Sequence, residues 1–241
     1  AVIGGGFTGV SAALHLAESG VRTAVLEAET PGWGASGRNG GFCCLGGSML
    51  DGTAMARKFT PQAAQTYQAG EVAAVDLIRD LLERHGIAAD THSRGETRMA
   101  HSPRAMKALR READAIAAAG ATPQILEQDE LAAQGLNGAF FGALTTAVGF
   151  GLNPRKYLFG LARAAQSAGA LLFQNSPVTA MTPAQGGHVL TTPQGLVRAK
   201  QVIVATNGYS WDGLPKWLSG RYIPAQSTVM VTRPLTEDEL Q

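Results

Sequence analysis

Three glycines near the start of the chain, Gly4, Gly6 and Gly9, and one acid, Glu27, have the types and the spacing to hold a dinucleotide. They belong to Ala1-Val2-Ile3-Gly4-Gly5-Gly6-Phe7-Thr8-Gly9, a G-x-G-x-x-G run, and Glu27 follows Gly9 by eighteen residues. Gly4 permits a tight turn, Gly6 lets a pyrophosphate approach the backbone, and Gly9 lets a following helix pack close to a sheet. A helix that begins here offers free N–H groups and a partial positive charge to phosphate. Glu27 can accept hydrogen bonds from a ribose diol, and its charge disfavours a 2′-phosphate.

These residues act together only if particular elements position them. A short β-branched run, Val2-Ile3, precedes the glycines, and an Ala-rich helical pattern follows from Val10 to Ala17. Gly20 stops the helix, and Val21 to Leu26 forms a second buried strand ending at the acid. Strand, turn, helix, strand and acid are the context the fingerprint requires. The segment from Thr30 to Phe42 comes next, and five of its thirteen residues are glycine. Such a run cannot be a helix or a long strand. It is expected to follow an irregular path against a large flat ligand. Arg38 is its one charge, and three positions fit it: on the pyrophosphate, on a redox ring, or in solvent.

Gly4-x-Gly6-x-x-Gly9, Glu27 and Gly34-Ala35-Ser36-Gly37-Arg38-Asn39-Gly40-Gly41 together resemble the FAD-dependent amine oxidoreductases of the D-amino acid oxidase superfamily, which includes glycine and sarcosine oxidases. The Gly34–Gly41 run is most similar to the branch containing gamma-glutamylputrescine oxidoreductase. The resemblance runs the length of the chain. It implies an α/β fold in which a Rossmann-like FAD-binding domain is interleaved with an α+β substrate domain, in a chain truncated relative to the family. It also implies FAD contacts from Gly4, Gly6, Gly9, Glu27, Ala28, Ala35, Ser36, Gly37, Arg38, Asn39, Gly40, Val178, Thr206 and Gly208. Val178 would act through its backbone at the adenine end. The implied reaction passes a hydride from the carbon beside an amine nitrogen to flavin N5. The imine then hydrolyses, and oxygen or another acceptor takes the electrons. A neutral amine needs no strong base, so no catalytic side chain is assigned. The family's closing Gly-rich segment and most of its substrate contacts are expected beyond residue 241, and a few residues before Ala1.

The rest of the chain supports an interleaved layout. Residues 60–85 show an amphipathic helical pattern, with Val72, Val75, Ile78, Leu81 and Leu82 on one face. A strand is expected over 91–100 and a helix from Ser102-Pro103 to Gly120. A strand near 123–126, a short helix near 129–133 and strand structure over 140–152 follow. Asn153-Pro154 caps a helix to Gly169, and 170–173 is a short buried strand. Two hairpin turns lie at Gln185-Gly186-Gly187 and Pro193-Gln194-Gly195. Gln201 to Ala205 reads as a fully apolar, buried strand that leads to Thr206-Asn207-Gly208 at the ligand-binding edge of a sheet. A last strand is expected over 221–232, and a helix begins at Thr236. The division is 1–90 and 153–215 for FAD, and 91–152 and 216–241 for substrate.

A net charge of +1 gives no electrostatic reason to expect nucleic acid or an acidic membrane surface. No apolar run approaches the ~20 residues of a membrane span. Cys43 and Cys44 are the only cysteines; adjacent, they make no disulfide framework and suit a reducing, cytoplasmic setting. His92 and His101 have no partner motif, and no metal site is expected. Two other functions stay open at this point: an NAD-linked Rossmann dehydrogenase, and a flavin-binding scaffold without turnover. The role of Glu27 can be tested directly. Glu27→Arg should abolish FAD binding while the far-UV circular dichroism stays native; unchanged affinity would remove Glu27 from the site.

Overall fold

The computed structural model describes residues 1–50, 52–118, 122–210 and 213–239. The elements of the first half are β1 (Val2–Ile3), α1 (Phe7–Glu18), β2 (Ala24–Leu26), β3 (Phe42–Cys43), α2 (Gly52–Lys58), α3 (Pro61–Arg84), β4 (Glu96–Met99) and α4 (Pro103–Ala118). Then come β5 (Gln124–Glu127), β6 (Gly142–Thr146), β7 (Phe150–Gly151), α5 (Pro154–Ser167), β8 (Leu171–Phe173), β9 (Ala180–Ala184), β10 (Gly187–Thr192), β11 (Gly195–Ala199) and β12 (Ile203–Val204). They fall into two units. One comprises Ala1–Gly40, Arg84–Ala89 and Asn153–Gln241; the other comprises Gly41–Glu83 and Asp90–Leu152.

The first unit is built on a parallel sheet in the order β12-β1-β2-β8, with Val2 opposite both Val25 and Ile203. Parallel neighbours need crossovers, and α1 supplies the one from β1 to β2. Its Ala-rich sequence favours helix. The helix ends where Gly20, at φ 77°, turns left-handed and donates its N–H to Ala17 O. Asn153 Oδ1 accepts from Lys156 N–H at 3.1 Å and Pro154 sits in the first turn, so α5 starts where the cap residues place it. α5 buries Leu158, Leu161 and Ala165 and packs along α1, with the Phe7 and Tyr157 rings 5.3 Å apart. Strands β9, β10 and β11 form an antiparallel meander through the two expected hairpin turns. Leu190 of β10 closes a small core with Ile3, Leu26, Val178 and Leu214.

The second unit holds an antiparallel sheet in the order β4-β6-β5, with α4 packed on it, and a two-stranded pair of β3 and β7. Helix α3 matches its amphipathic pattern: Val75 and Leu81 are buried, Val72, Ile78 and Leu82 half-buried. Among the described residues, no helix is long and apolar enough to cross a membrane.

Four expectations change. Residues 221–232 form no strand; Ile223, Met230 and Val231 are each more than 90% exposed. Apolar, β-branched sequence favours a strand only where a partner edge completes its hydrogen bonds, and no described strand pairs with this segment. The strand expected over 201–205 shortens to β12, a sheet edge on which Ile203 is 38% exposed rather than buried. The helix expected near 129–133 is a 3₁₀ turn at Ala132–Gln134, and the one expected from Thr236 is a 3₁₀ turn at Glu237–Glu239. The expected end of the helix at Gly120 and the chain end at Gln241 lie outside the described residues.

The contrast between two glycines tests this packing. A Cβ on Gly9 would lie 2.0 Å from Gly4 O, whereas one on Gly70, exposed on α3, meets nothing within 4 Å. Gly9→Ala should destabilise the protein by about 1–3 kcal/mol. Gly70→Ala should stabilise it by about 0.5–1 kcal/mol. Urea denaturation reads both, and equal effects would contradict the backbone contact.

Candidate functional site

The site is assembled at one edge of the parallel sheet, where β1, β2 and β12 all end. Gly4 follows β1 with φ 106° and donates to Leu26 O at 2.9 Å. A side chain there would strike Ala205 O, so the glycine turn and the exit of β12 touch through backbone. Helix α1 begins with Gly6, which carries no side chain to cap it. Its first turn therefore presents N–H groups and the positive end of its dipole at this edge.

Two polar side chains close on the turn. Glu27 leaves β2 half-buried; its Oε2 accepts from Gly5 N–H at 2.5 Å and its Oε1 from Glu29 N–H at 2.9 Å. A carboxylate has about four acceptor directions, so both oxygens keep capacity for a ligand hydroxyl. Ser36 Oγ accepts from Phe7 N–H at 3.0 Å. A Cβ on Gly6 would fall 2.9 Å from that Oγ, so Gly6 makes room for Ser36.

The glycine-rich run folds back on itself. Gly32 donates to Gly5 O at 3.1 Å, and a Cβ on Gly37 would lie 2.2 Å from Gly32 O. Ala35–Gly37 form a 3₁₀ turn, and Asn39 Nδ2 donates to Ala35 O and Ser36 O. Arg38 is exposed, with its guanidinium carbon 4.8 Å from the centroid of the Trp33 ring. The guanidinium is thus within cation–π range of an aromatic ring.

The last segment is the turn after β12. Thr206 Oγ1 and Ser210 Oγ are 2.5 Å apart, and Asn207, at φ 46°, accepts from Gly208 N–H through its Oδ1 at 2.6 Å. Asparagine is among the residues that tolerate this left-handed backbone. Gly208 faces Pro224. Ser176 N–H donates to Glu27 O at 2.8 Å, which brings the 173–178 segment beside the acid, while the Val178 side chain is buried in the core. The structure thus groups Gly4, Gly6, Gly9, Glu27, Ser36 and Thr206 on one turn. Ala35, Gly37, Arg38, Asn39 and Gly40 lie in the loop behind Ser36. Ala28 is exposed just past the acid, and Val178 and Gly208 stand at the flanks.

The sequence motifs do not single out Gly5, Trp33 or Tyr209, and they hold Gly34 only as a member of the glycine-rich run. The three consecutive glycines at 4–6 were the available signal for Gly5. Nothing in the sequence pairs Trp33 with Tyr209, whose rings lie 6.1 Å apart, edge to face. Burial, with help from Cys44, pushes the Cys43 thiol up to about 11, and burial followed by Glu96 raises that of Cys44. Both stay protonated at neutral pH. Among the described residues, no group of three or more His, Cys, Asp or Glu side chains could hold a metal ion.

Comparison with known proteins places this edge in context. A family model described as FAD dependent oxidoreductase (DAO) matches residues 1–241. The chain is 32% identical over 241 residues to gamma-glutamylputrescine oxidoreductase of Escherichia coli, covering 98% of the chain and 55% of that protein. It is 31% identical over 249 residues to the probable oxidoreductase OrdL of Haemophilus influenzae, covering 98% of the chain and 56% of that protein. The crystal structure of glycine oxidase from Geobacillus kaustophilus superposes with a TM-score of 0.68 at 27% identity, over 85% of this chain and 54% of that one. The chain therefore spans about half the length of the relatives it matches.

Ser36→Ala would leave Phe7 N–H without its side-chain acceptor. The expected cost is about 1 kcal/mol in urea denaturation, the usual effect of losing a side-chain acceptor at a helix N-terminus. An unchanged midpoint would show that the bond contributes nothing.

Proposed function

The chain belongs to the FAD dependent oxidoreductase family, and on that footing we propose that it forms the FAD-holding part of an enzyme that oxidises an amine or amino acid at a C–N bond. The observation that carries this reading is the convergence of three distant segments on one sheet edge. The glycine turn at 4–9, the Glu27 and Ser36 side chains, and the strand exit at 205–206 meet through hydrogen bonds and backbone contact. Ligands of open α/β sheets bind at such an edge.

The residues present fit the cofactor. The first turn of α1 would hold the pyrophosphate through its N–H groups, with Gly6 leaving the approach open. Glu27 would take a ribose diol on its free acceptor directions, and Ser36 would steady the turn from the opposite side. Val178 would serve the adenine end through its backbone, with its side chain anchored in the core. Gly37, Asn39 and Gly40 would shape the loop that carries Ser36. Bound FAD would supply the redox chemistry, accepting at N5 the hydride from the carbon beside the substrate nitrogen, so that the imine formed can hydrolyse. The chain's own contribution is position and electrostatics: a fixed dipole for phosphate and fixed acceptors for hydroxyls.

The named activities of the relatives, on gamma-glutamylputrescine and on glycine, support an amine or amino acid substrate; the 32% identity favours a gamma-glutamyl polyamine. Oxygen or another acceptor would complete the cycle. Two free adjacent thiols support a reducing, cytoplasmic location.

The test is the visible spectrum of the purified protein before and after anaerobic addition of gamma-glutamylputrescine, putrescine, glycine, sarcosine and proline. Flavin bands near ~370 and ~450 nm that bleach with one amine are expected. Bands that no amine bleaches would favour a flavin-binding scaffold without turnover. Absence of bands after FAD addition would overturn the reading.

A further inference from the structure

Trp33, Arg38 and Tyr209 form a stack that a dinucleotide turn does not in itself require. The Arg38 guanidinium lies over one face of Trp33, and the Tyr209 ring meets Trp33 at an interplanar angle of 68°. Tyr209 also lies against Gly34: a Cβ there would sit 2.9 Å from Tyr209 Cε2 and 3.2 Å from Cζ. Trp33 is 44% exposed and Tyr209 60% exposed, so neither ring is a core residue. The stack joins two segments far apart in sequence. Each is separately tied to the glycine turn, the first through Ser36 on Phe7 N–H and the second through Ala205 against Gly4. The Tyr209 backbone is itself fixed, since its N–H donates to Thr206 O at 2.9 Å.

We propose that Tyr209 is a positioning residue for the cofactor. Its ring seats on Trp33 and Gly34 and holds the 32–40 run against the exit of β12, so that Ser36 and the N-terminus of α1 stay aimed at one phosphate group. The inference rests on the FAD reading above and names a residue that the dinucleotide fingerprint does not contain. Gly34 has a defined part in it: its missing side chain is the seat of the ring. Arg38 is then a stiffener of the stack rather than a phosphate ligand. An edge-to-face aromatic contact with an adjoining cation–π contact corresponds to roughly a five- to tenfold change in an equilibrium constant.

The experiment is FAD titration into purified apoprotein, followed by quenching of flavin fluorescence, with the thermal midpoint of each apoprotein measured in parallel. Tyr209→Ala should weaken FAD binding about five- to tenfold, by loss of the aromatic seat, and leave the apoprotein midpoint unchanged. Tyr209→Phe keeps the ring and should bind as wild type does. Gly34→Ala should weaken binding by itself but add nothing in the Tyr209→Ala background, because the clash is with the ring. Wild-type affinity in Tyr209→Ala would overturn the proposal. So would an equal loss in Tyr209→Phe, additive effects of the two alanine substitutions, or a fall in affinity matched by a fall in apoprotein stability. Wild-type protein that takes up no FAD would instead overturn the functional reading on which the proposal rests.

Discussion

The approach of one backbone to another at Gly9 and Gly4 is the contact on which the site depends. The space for a Cβ at Gly9 is already filled by the Gly4 carbonyl. Helix α1 can therefore lie against the end of β1 only with hydrogen at that position. From this approach follow the direction of the α1 dipole and the exposure of its first N–H groups at the sheet edge. It also sets the distance at which Ser36 and Glu27 can reach the turn. The same kind of contact recurs at Gly37 against Gly32. At Gly4, Gly9 and Gly37 the missing side chain lets backbone approach backbone; at Gly5, Gly6, Gly32 and Gly34 it makes room for a neighbouring side chain.

The polar residues of the site serve the protein before they serve a ligand. Glu27 binds two backbone N–H groups, and Ser36 binds a third. The Gly5 and Phe7 N–H groups are buried and half-buried, and without acceptors they would destabilise the turn, so these side chains keep it in shape. A preformed cradle loses less freedom when a dinucleotide arrives than one that must be ordered on binding. A carboxylate oxygen accepts more than one hydrogen bond, so these two bonds leave acceptor directions open on Glu27. A substitution at Glu27 or Ser36 therefore acts first on the folded turn.

Much of this was legible in the linear sequence. The fingerprint glycines, the acid at the end of β2, the Asn153-Pro154 cap, the amphipathic α3 and both hairpins of the meander depend on neighbours within a few residues. Local sterics and hydrogen bonding decide them. The strand over 201–205 was legible in position but not in exposure. The apolar run Val202–Ala205 does not say whether it becomes an inner strand or an edge, and β12 is an edge. The segment 221–232 shows the same limit more strongly. Its Thr-Val-Met-Val-Thr sequence has strand propensity, yet a strand is a property of a pair.

The linear chain already showed a strand, a glycine turn, a helix and an acid following one another at the spacing a dinucleotide needs. It also carried the resemblance that named FAD. Those features are local, or are carried by residue types that few other arrangements require. Which of these groups meet was left to the packing of the whole chain. It set Tyr209 on Trp33 and Gly34, drew Arg38 onto an aromatic face, and brought Ala205 against Gly4. The physical reason is that these contacts are made across more than 170 residues of chain in two of the three cases. Closing such a loop is settled by the register of the parallel sheet, and no spacing within either segment encodes it.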